Sequence, residues 1–335
     1  MVPPCATRRG TGVCDNGVVP RLRLDLAYDG TDFHGWARQP GLRTVQGELE
    51  SAIDTVLRVP AAQDGRGGVS VVVAGRTDSG VHAAHQVCHM DIDQRFLDAA
   101  VGHMNVGPVE AFARRLRRKL PPDVAVLSVE PAPDGFDARF SALERTYVYR
   151  IGDDGADFDP RIRGHVAYME GTLDVDAMND AIAHAVGLHD FGSFATPNPG
   201  GTTIRLVKYA RWIRVPHTPL GPWGRDGSAT VDDNGPSLGA EALDVPVEES
   251  GLVCLAIMAD AFAHNMVRCL VGAAIKVGQG DRNAAWFADK VAQPLREGST
   301  GPAPACGLTL ERVRYPDAAL LAERARSIRA KRTLP

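Results

Sequence analysis

Val69-Ser70-Val71-Val72-Val73-Ala74-Gly75-Arg76-Thr77-Asp78-Ser79-Gly80-Val81-His82-Ala83 runs from an apolar, β-branched stretch into a loop in which two glycines bracket Arg-Thr-Asp. The stretch 69–73 reads as a buried strand, because β-branched side chains suit a packed, pleated surface. Glycine enters positive φ without strain, so Gly75 and Gly80 are expected to allow a tight loop that pushes its central side chains outward. A cation, Arg76, and a carboxylate, Asp78, are thereby set at a strand end, where loops carry function. Asp-Ser-Gly is also ordinary turn chemistry, so the remainder of the chain has to decide what this loop does.

Upstream, Arg21 to Tyr28 alternates Leu22, Leu24, Leu26 and Tyr28 against Arg21, Arg23 and Asp25, the pattern of a half-buried strand. Asp29-Gly30 turns it into residues 31–40, which gather Phe33, His34, Trp36 and Arg38 on one loop. Thr44 can cap a helix whose Val45, Leu49, Ile53, Val56 and Leu57 recur every three or four residues, stopping before Pro60. Residues 61–68 are a polar connector. Downstream, 85–92 alternates as a second strand, 109–120 reads as a helix stopped by Pro121-Pro122, and 124–129 as a further strand. Pro131 to Gly135 is the expected boundary between two halves.

The second half repeats the mixture. Residues 146–151 form a strand with Tyr147 and Tyr149 on one face, 174–187 an amphipathic helix, and 204–215 a strand studded with Arg205, Lys208, Arg211 and Arg214. Residues 216–249 turn to Gly, Pro, Asp and Ser and read as an inserted loop, since a structureless stretch of that length is uncommon inside a core. A strand at 252–258, a helix carrying Met266, Leu270, Ala273, Ala274 and Val277, and a last strand at 307–313 complete the pattern. The fold expected is α+β. Two similar α/β subdomains, 21–130 and 136–316, with mixed and mainly antiparallel sheets, flank a central basic cleft, between a disordered leader at 1–20 and a basic tail at 317–335.

At 335 residues, 44% hydrophobic and 23% charged, the chain has apolar content for one large or two medium cores. No apolar run approaches the roughly 20 residues that cross a bilayer. Residues 1–20 lack the apolar segment of a signal peptide. Six cysteines without any Cys-x-x-Cys suit a reducing compartment, so a cytoplasmic location is expected. The net charge of −4 does not exclude a nucleic-acid partner, because phosphate binding depends on local clusters. Arg114, Arg115, Arg117, Arg118 and Lys119 form one such cluster, and Arg324, Arg326, Arg329, Lys331 and Arg332 another. Either reads equally as a solvated helix face. His82, His85 and His89 invite a metal reading, but no Cys or Glu completes a tetrahedral set, and no metal is expected.

Four blocks bear a resemblance to one family. Ala74-Gly75-Arg76-Thr77-Asp78-Ser79-Gly80-Val81-His82-Ala83 resembles the active-site loop of the tRNA pseudouridine synthase A family. Residues 28–40, with Tyr-Asp-Gly-Thr, Gly-Trp and Gln-Pro, are similar to a second block. Phe136 to Tyr149, with Ala-Arg-Phe-Ser-Ala and Arg-x-Tyr-x-Tyr, is similar to a third, and Phe262-Ala263-His264-Asn265-Met266-Val267-Arg268 to a fourth. The resemblance implies the pseudouridine synthase fold and isomerisation of uridine to pseudouridine at nucleotides 38–40 of the tRNA anticodon stem-loop. It implies a homodimer whose RNA site uses both subunits, with no cofactor and no metal. It further implies Asp78 as the catalytic carboxylate, supported by Arg76 and by Arg268 paired to it, and Tyr147 against the target base. Arg76 and His82 join Tyr147 as substrate-binding candidates. Phe33, Trp36, Arg38, Arg139 and His264 are candidate RNA contacts, with the aromatics offered to stack on bases. A metal-dependent phosphodiesterase built on His82, His85, His89 and Asp78, and a non-catalytic tRNA-binding module, are the competing readings.

Overall fold

The computed structural model describes residues 19–60, 68–156, 159–196, 201–216, 249–295 and 300–327. Residues 1–18 of the expected leader, 217–248 of the expected inserted loop and 328–335 of the basic tail lie outside the described residues. The first strand, β1 (Arg21–Tyr28), buries every second residue, as its alternation requires. Helix α1 (Val45–Leu57) begins where Thr44 Oγ1 accepts the Gly47 amide, and it ends on Arg58 in the left-handed region. The run 69–73 buries Val69, Val71 and Val73, yet only β2 (Val72–Val73) pairs within the sheet. Strand β3 (His82–Asp91) leaves the Asp78 loop directly. Helix α2 (Gln94–Val101), capped by Asp93, precedes α3 (Pro108–Lys119) and β4 (Val124–Pro131).

The second half contains β5 (Glu144–Gly152), β6 (Ala167–Tyr168), α4 (Val175–Ala183), β7 (Gly187–Asp190) and β8 (Ile204–Arg214). Strand β9 (Val253–Ala259), α5 (Met266–Gly278), α6 (Ala284–Ala292), β10 (Leu308–Arg314) and α7 (Leu321–Ser327) follow. Helices α1, α2 and α3 pack together with β4, while α4, α5 and α6 pack together with β8 and β7.

One sheet runs through both halves in the order β4-β1-β3-β10-β5-β9-β8-β7, with β2 on β3 and β6 on β5. All pairings are antiparallel except β3 with β10 and β5 with β6. The halves are joined by β10, which runs parallel to β3 through Thr309 opposite His82 and Leu310 opposite Ala83. On its other side β10 is antiparallel to β5, where Leu310 faces Tyr147. The loop at 74–80 and the strand carrying Tyr147 thus lie on either side of one short seam. Among the described residues no helix is long and apolar enough to cross a membrane.

Candidate active site

The Asp78 loop is held from below by three buried polar side chains. Tyr28 Oη lies 2.8 Å from Thr77 Oγ1, and Gln86 Nε2 donates both to Tyr28 Oη at 3.3 Å and to the Gly75 carbonyl at 2.8 Å. Burial pushes the Tyr28 phenol up to about 12, so it stays a neutral hydrogen-bonding group at ordinary pH. From the side, the 31–40 loop lies against the same backbone. The Trp36 amide donates to the Thr77 carbonyl at 3.0 Å, and both the Gly80 amide and the Ser79 hydroxyl donate to the Phe33 carbonyl at 3.2 Å. Gly35 permits this approach: its φ is +85°, and a Cβ there would come within 2.9 Å of the Thr77 carbonyl. Gly80 also uses positive φ, at +76°, whereas Gly75 does not, so one glycine of the expected pair supplies the turn.

These contacts correct the reading of the aromatics. Phe33 and Trp36, expected to meet bases, are 2% and 1% exposed and cannot stack on RNA without unfolding their loop. Their rings belong to the core, with the Arg43 guanidinium 4.2 Å over Phe33 and Trp36 6.0 Å from Tyr28. Their backbone brings the 31–40 loop to Asp78.

Asp78 keeps a quarter of its side chain exposed, and its Oδ1 lies 3.4 Å from His264 Nε2. His264 sits on the turn between β9 and α5, where Asn265 adopts φ +61° and its carboxamide donates to Thr196 Oγ1 at 3.1 Å. Asparagine tolerates the left-handed region better than most residues, and the turn aims His264 at the carboxylate. Tyr147 on β5 is buried edge-on to Phe262 at 5.2 Å. Its phenol is pushed up first by burial and then by Tyr28 and the charge of Asp78. Arg76 is exposed, with no ion pair or hydrogen bond among the described residues.

Arg268 departs from expectation. Its Nε donates to the Ala303 carbonyl at 2.7 Å and its Nη1 reaches Asn265 Oδ1 at 3.5 Å, with no ion pair to Asp78. Helix α5 carries it one turn beyond His264, where the 300–306 segment claims the guanidinium. His264, expected only as an RNA contact, is the basic group at the carboxylate. Arg139 is exposed over the Phe140 ring at 5.2 Å, and Arg38 pairs with buried Glu50 at 3.2 Å.

His82 likewise leaves the expected substrate site. It is 2% exposed, its Nδ1 accepts the Gly30 amide at 3.0 Å, and its ring lies 4.3 Å from that of His165. Burial, followed by the nearby His165, lowers its pKa and favours the neutral ring. Asp29, His82 and His165 offer donor atoms within 4.8 Å of one another, the grouping from which a metal site would be built. Two of the three are already engaged: Asp29 Oδ1 accepts both the amide and the hydroxyl of Thr31, and His82 Nδ1 the Gly30 amide. His82 Nε2, by contrast, is buried without a hydrogen-bond partner among the described residues. His85 contacts Asp25 at 3.0 Å and His89 accepts the Ala138 amide at 3.0 Å, so the three histidines of the phosphodiesterase reading do not converge.

A family model described as tRNA pseudouridine synthase matches residues 181–316. A protein of Bifidobacterium longum named tRNA pseudouridine synthase A is 55% identical over 314 residues, covering 94% of this chain and 99% of that one. The chain belongs to the tRNA pseudouridine synthase A family. Other members named alike, from Streptomyces griseus and Cutibacterium acnes, are 44% and 43% identical, covering 94% and 93% of this chain and 95% of each of theirs. Family membership extends over both halves, so the Asp78 loop, Tyr147 and the His264 turn all fall inside the matched length.

Proposed function

We propose that this chain isomerises uridine to pseudouridine in the anticodon stem-loop of tRNA, at nucleotides 38–40, with Asp78 as the catalytic carboxylate. The observation that carries the reading is the partly exposed Asp78 carboxylate, 3.4 Å from His264, with Arg76 unpaired on the same loop and the Tyr147 strand across the β10 seam. The reaction breaks the C1′–N1 glycosidic bond, turns the uracil and joins C1′ to C5; C5 gives up its proton and N1 takes one up, so the atoms balance as an isomerisation requires. A carboxylate at C1′ serves either as nucleophile or as the base that takes the 2′ proton. His264 Nε2, 3.4 Å from Oδ1, is placed to orient the carboxylate. Tyr147, 7% exposed, is assigned to the wall beneath the uracil. Arg76 is free to fill the gap left by the extruded base or to hold a phosphate, offsetting an unstacking cost of a few kcal/mol. Arg139 and Arg38 are assigned to phosphate contacts.

The same reading takes residues 21–130 and 136–316 as subdomains flanking a basic cleft, working as a homodimer in the cytoplasm. Binding through phosphates predicts a log affinity that falls linearly with log salt. The deciding experiment incubates the protein with unmodified tRNA transcript in excess EDTA and maps pseudouridine by position, with Asp78→Ala and Asp78→Asn alongside. Pseudouridine at 38–40 from wild type alone is the expected result. Modification elsewhere, or activity retained without the carboxylate, overturns it.

A further inference from the structure

Arg145 begins the alternating face of β5 that continues through Tyr147 and Tyr149. It is 7% exposed, and among the described residues no carboxylate lies within ion-pair distance of it. Its guanidinium is shared among three backbone carbonyls: Nη1 donates to Asp260 at 2.6 Å, and Nη2 to Ala74 at 2.6 Å and Arg139 at 3.0 Å. Each acceptor belongs to a different segment. Ala74 opens the Asp78 loop, Asp260 opens the turn carrying Phe262 and His264, and Arg139 carries the exposed guanidinium assigned to RNA. Burial lowers the Arg145 pKa, but arginine keeps its charge in proteins.

The Asp260 charge favours the cation from beyond ion-pair distance, and a buried cation without a direct ion pair still costs several kcal/mol in desolvation. Stability alone is better served by an apolar residue, so a role in geometry has to account for it. We propose that Arg145 is a positioning residue for the isomerisation, a three-way clamp that fixes the Asp78 loop, the His264 turn and the Arg139 segment relative to one another. The proposal rests on the reading that Asp78 is the catalytic carboxylate. Its forked donors suit the task, because one rigid plane reaches carbonyls from separate strands, whereas a lysine ammonium presents a single point. A displacement of about 1 Å between reacting groups lowers rates by about 10²-fold.

The test compares wild type, Arg145→Ala, Arg145→Lys and Asp78→Asn in single-turnover pseudouridine formation with enzyme in excess. Each protein's tRNA Kd and melting temperature are measured beside it. Arg145→Ala is expected to slow the chemical step by about 10²-fold while Kd changes less than about threefold. Millimolar methylguanidinium is expected to restore part of its rate and to leave wild type unchanged. Arg145→Lys is expected to fold and to remain at least about tenfold slow. A folded Arg145→Ala at the wild-type rate, or a slow one that methylguanidinium does not rescue, overturns the proposal. If Arg145→Ala does not fold, Arg145→Lys decides: a lowered melting temperature with an unchanged rate makes the residue structural only and overturns the clamp. Asp78→Asn separates the two claims, since its activity sinks the reading of the carboxylate and leaves the Arg145 comparison to be read by itself.

Discussion

Replacing Tyr28 by Phe removes one oxygen from the buried network under the Asp78 loop and leaves the ring in its packing. Tyr28, Thr77 and Gln86 are 5%, 6% and 0% exposed, so water does not replace the lost bonds. Gln86 Nε2 keeps its bond to Gly75 but loses its 3.3 Å contact, and Thr77 Oγ1 loses its 2.8 Å partner. A net hydrogen bond contributes about 1 kcal/mol and a stranded buried polar group costs about 1–3 kcal/mol, so Tyr28→Phe should destabilise by about 2–3 kcal/mol. Thr77→Ala should cost less, and the double variant should cost less than the sum, with a coupling of about 1 kcal/mol. Urea unfolding at constant m-value measures all three. The phenol adds a pH signature. Its folded pKa of about 12 stands above the unfolded value of about 10, so its contribution is complete below pH 10 and lost as pH rises towards 12. Two units correspond to roughly 3 kcal/mol, enough for wild type and Tyr28→Phe to converge near pH 12. Strictly additive single variants, or a stability difference that stays constant from pH 10 to 12, would refute the network.

Glu144 joins three strands by accepting from Arg314 Nε on β10 and Lys208 Nζ on β8, and these partners, Arg314 first, hold its carboxyl down to about 2. Its stabilising effect is therefore present above the unfolded carboxylate pKa and lost as pH falls through 2. Glu144→Gln should melt lower at pH 7 and should decline less steeply than wild type between pH 4.5 and 2, the remaining decline coming from carboxylates such as Asp25, Asp91 and Asp153, as followed by circular dichroism. At Asn265, Ala should cost about 1–2 kcal/mol for the left-handed backbone and slow catalysis by moving His264, whereas Gly should retain most stability; melting curves and single-turnover rates compare the two.

Much of this was legible because local chemistry and tertiary packing agree. The alternation of β1 and the Thr44 cap of α1 read directly from sequence, since each depends on neighbours a few residues away. The caps of α2 and α6, Asp93 and Asn283, were equally local signals and were passed over. The aromatics at 33 and 36 misled because an aromatic on a loop looks alike whether its ring faces solvent or core; the carbonyls that dock on 77–80 decide it, and they carry no sequence mark. Arg268 and His264 share one helix entry, and which of them reaches Asp78 depends on the Ala303 carbonyl, 35 positions further along the chain. Arg145 was readable in principle: extending the Tyr147 and Tyr149 alternation back by one step sets an arginine on a buried face.

The parallel seam between β3 and β10 has a consequence for synthesis of the chain on the ribosome. Until residues 308–314 have emerged, β3 and β5 each lack the neighbour that lies between them in the finished sheet. A nascent chain of 300 residues therefore holds two sheet fragments with bare edges facing each other, the condition that invites pairing with a neighbouring chain. Strand β10 closes both edges at once. The Asp78 loop has its β10 seam only once residues 308–314 have been made, so a truncation before residue 308 removes the pairing that joins β3 to β5.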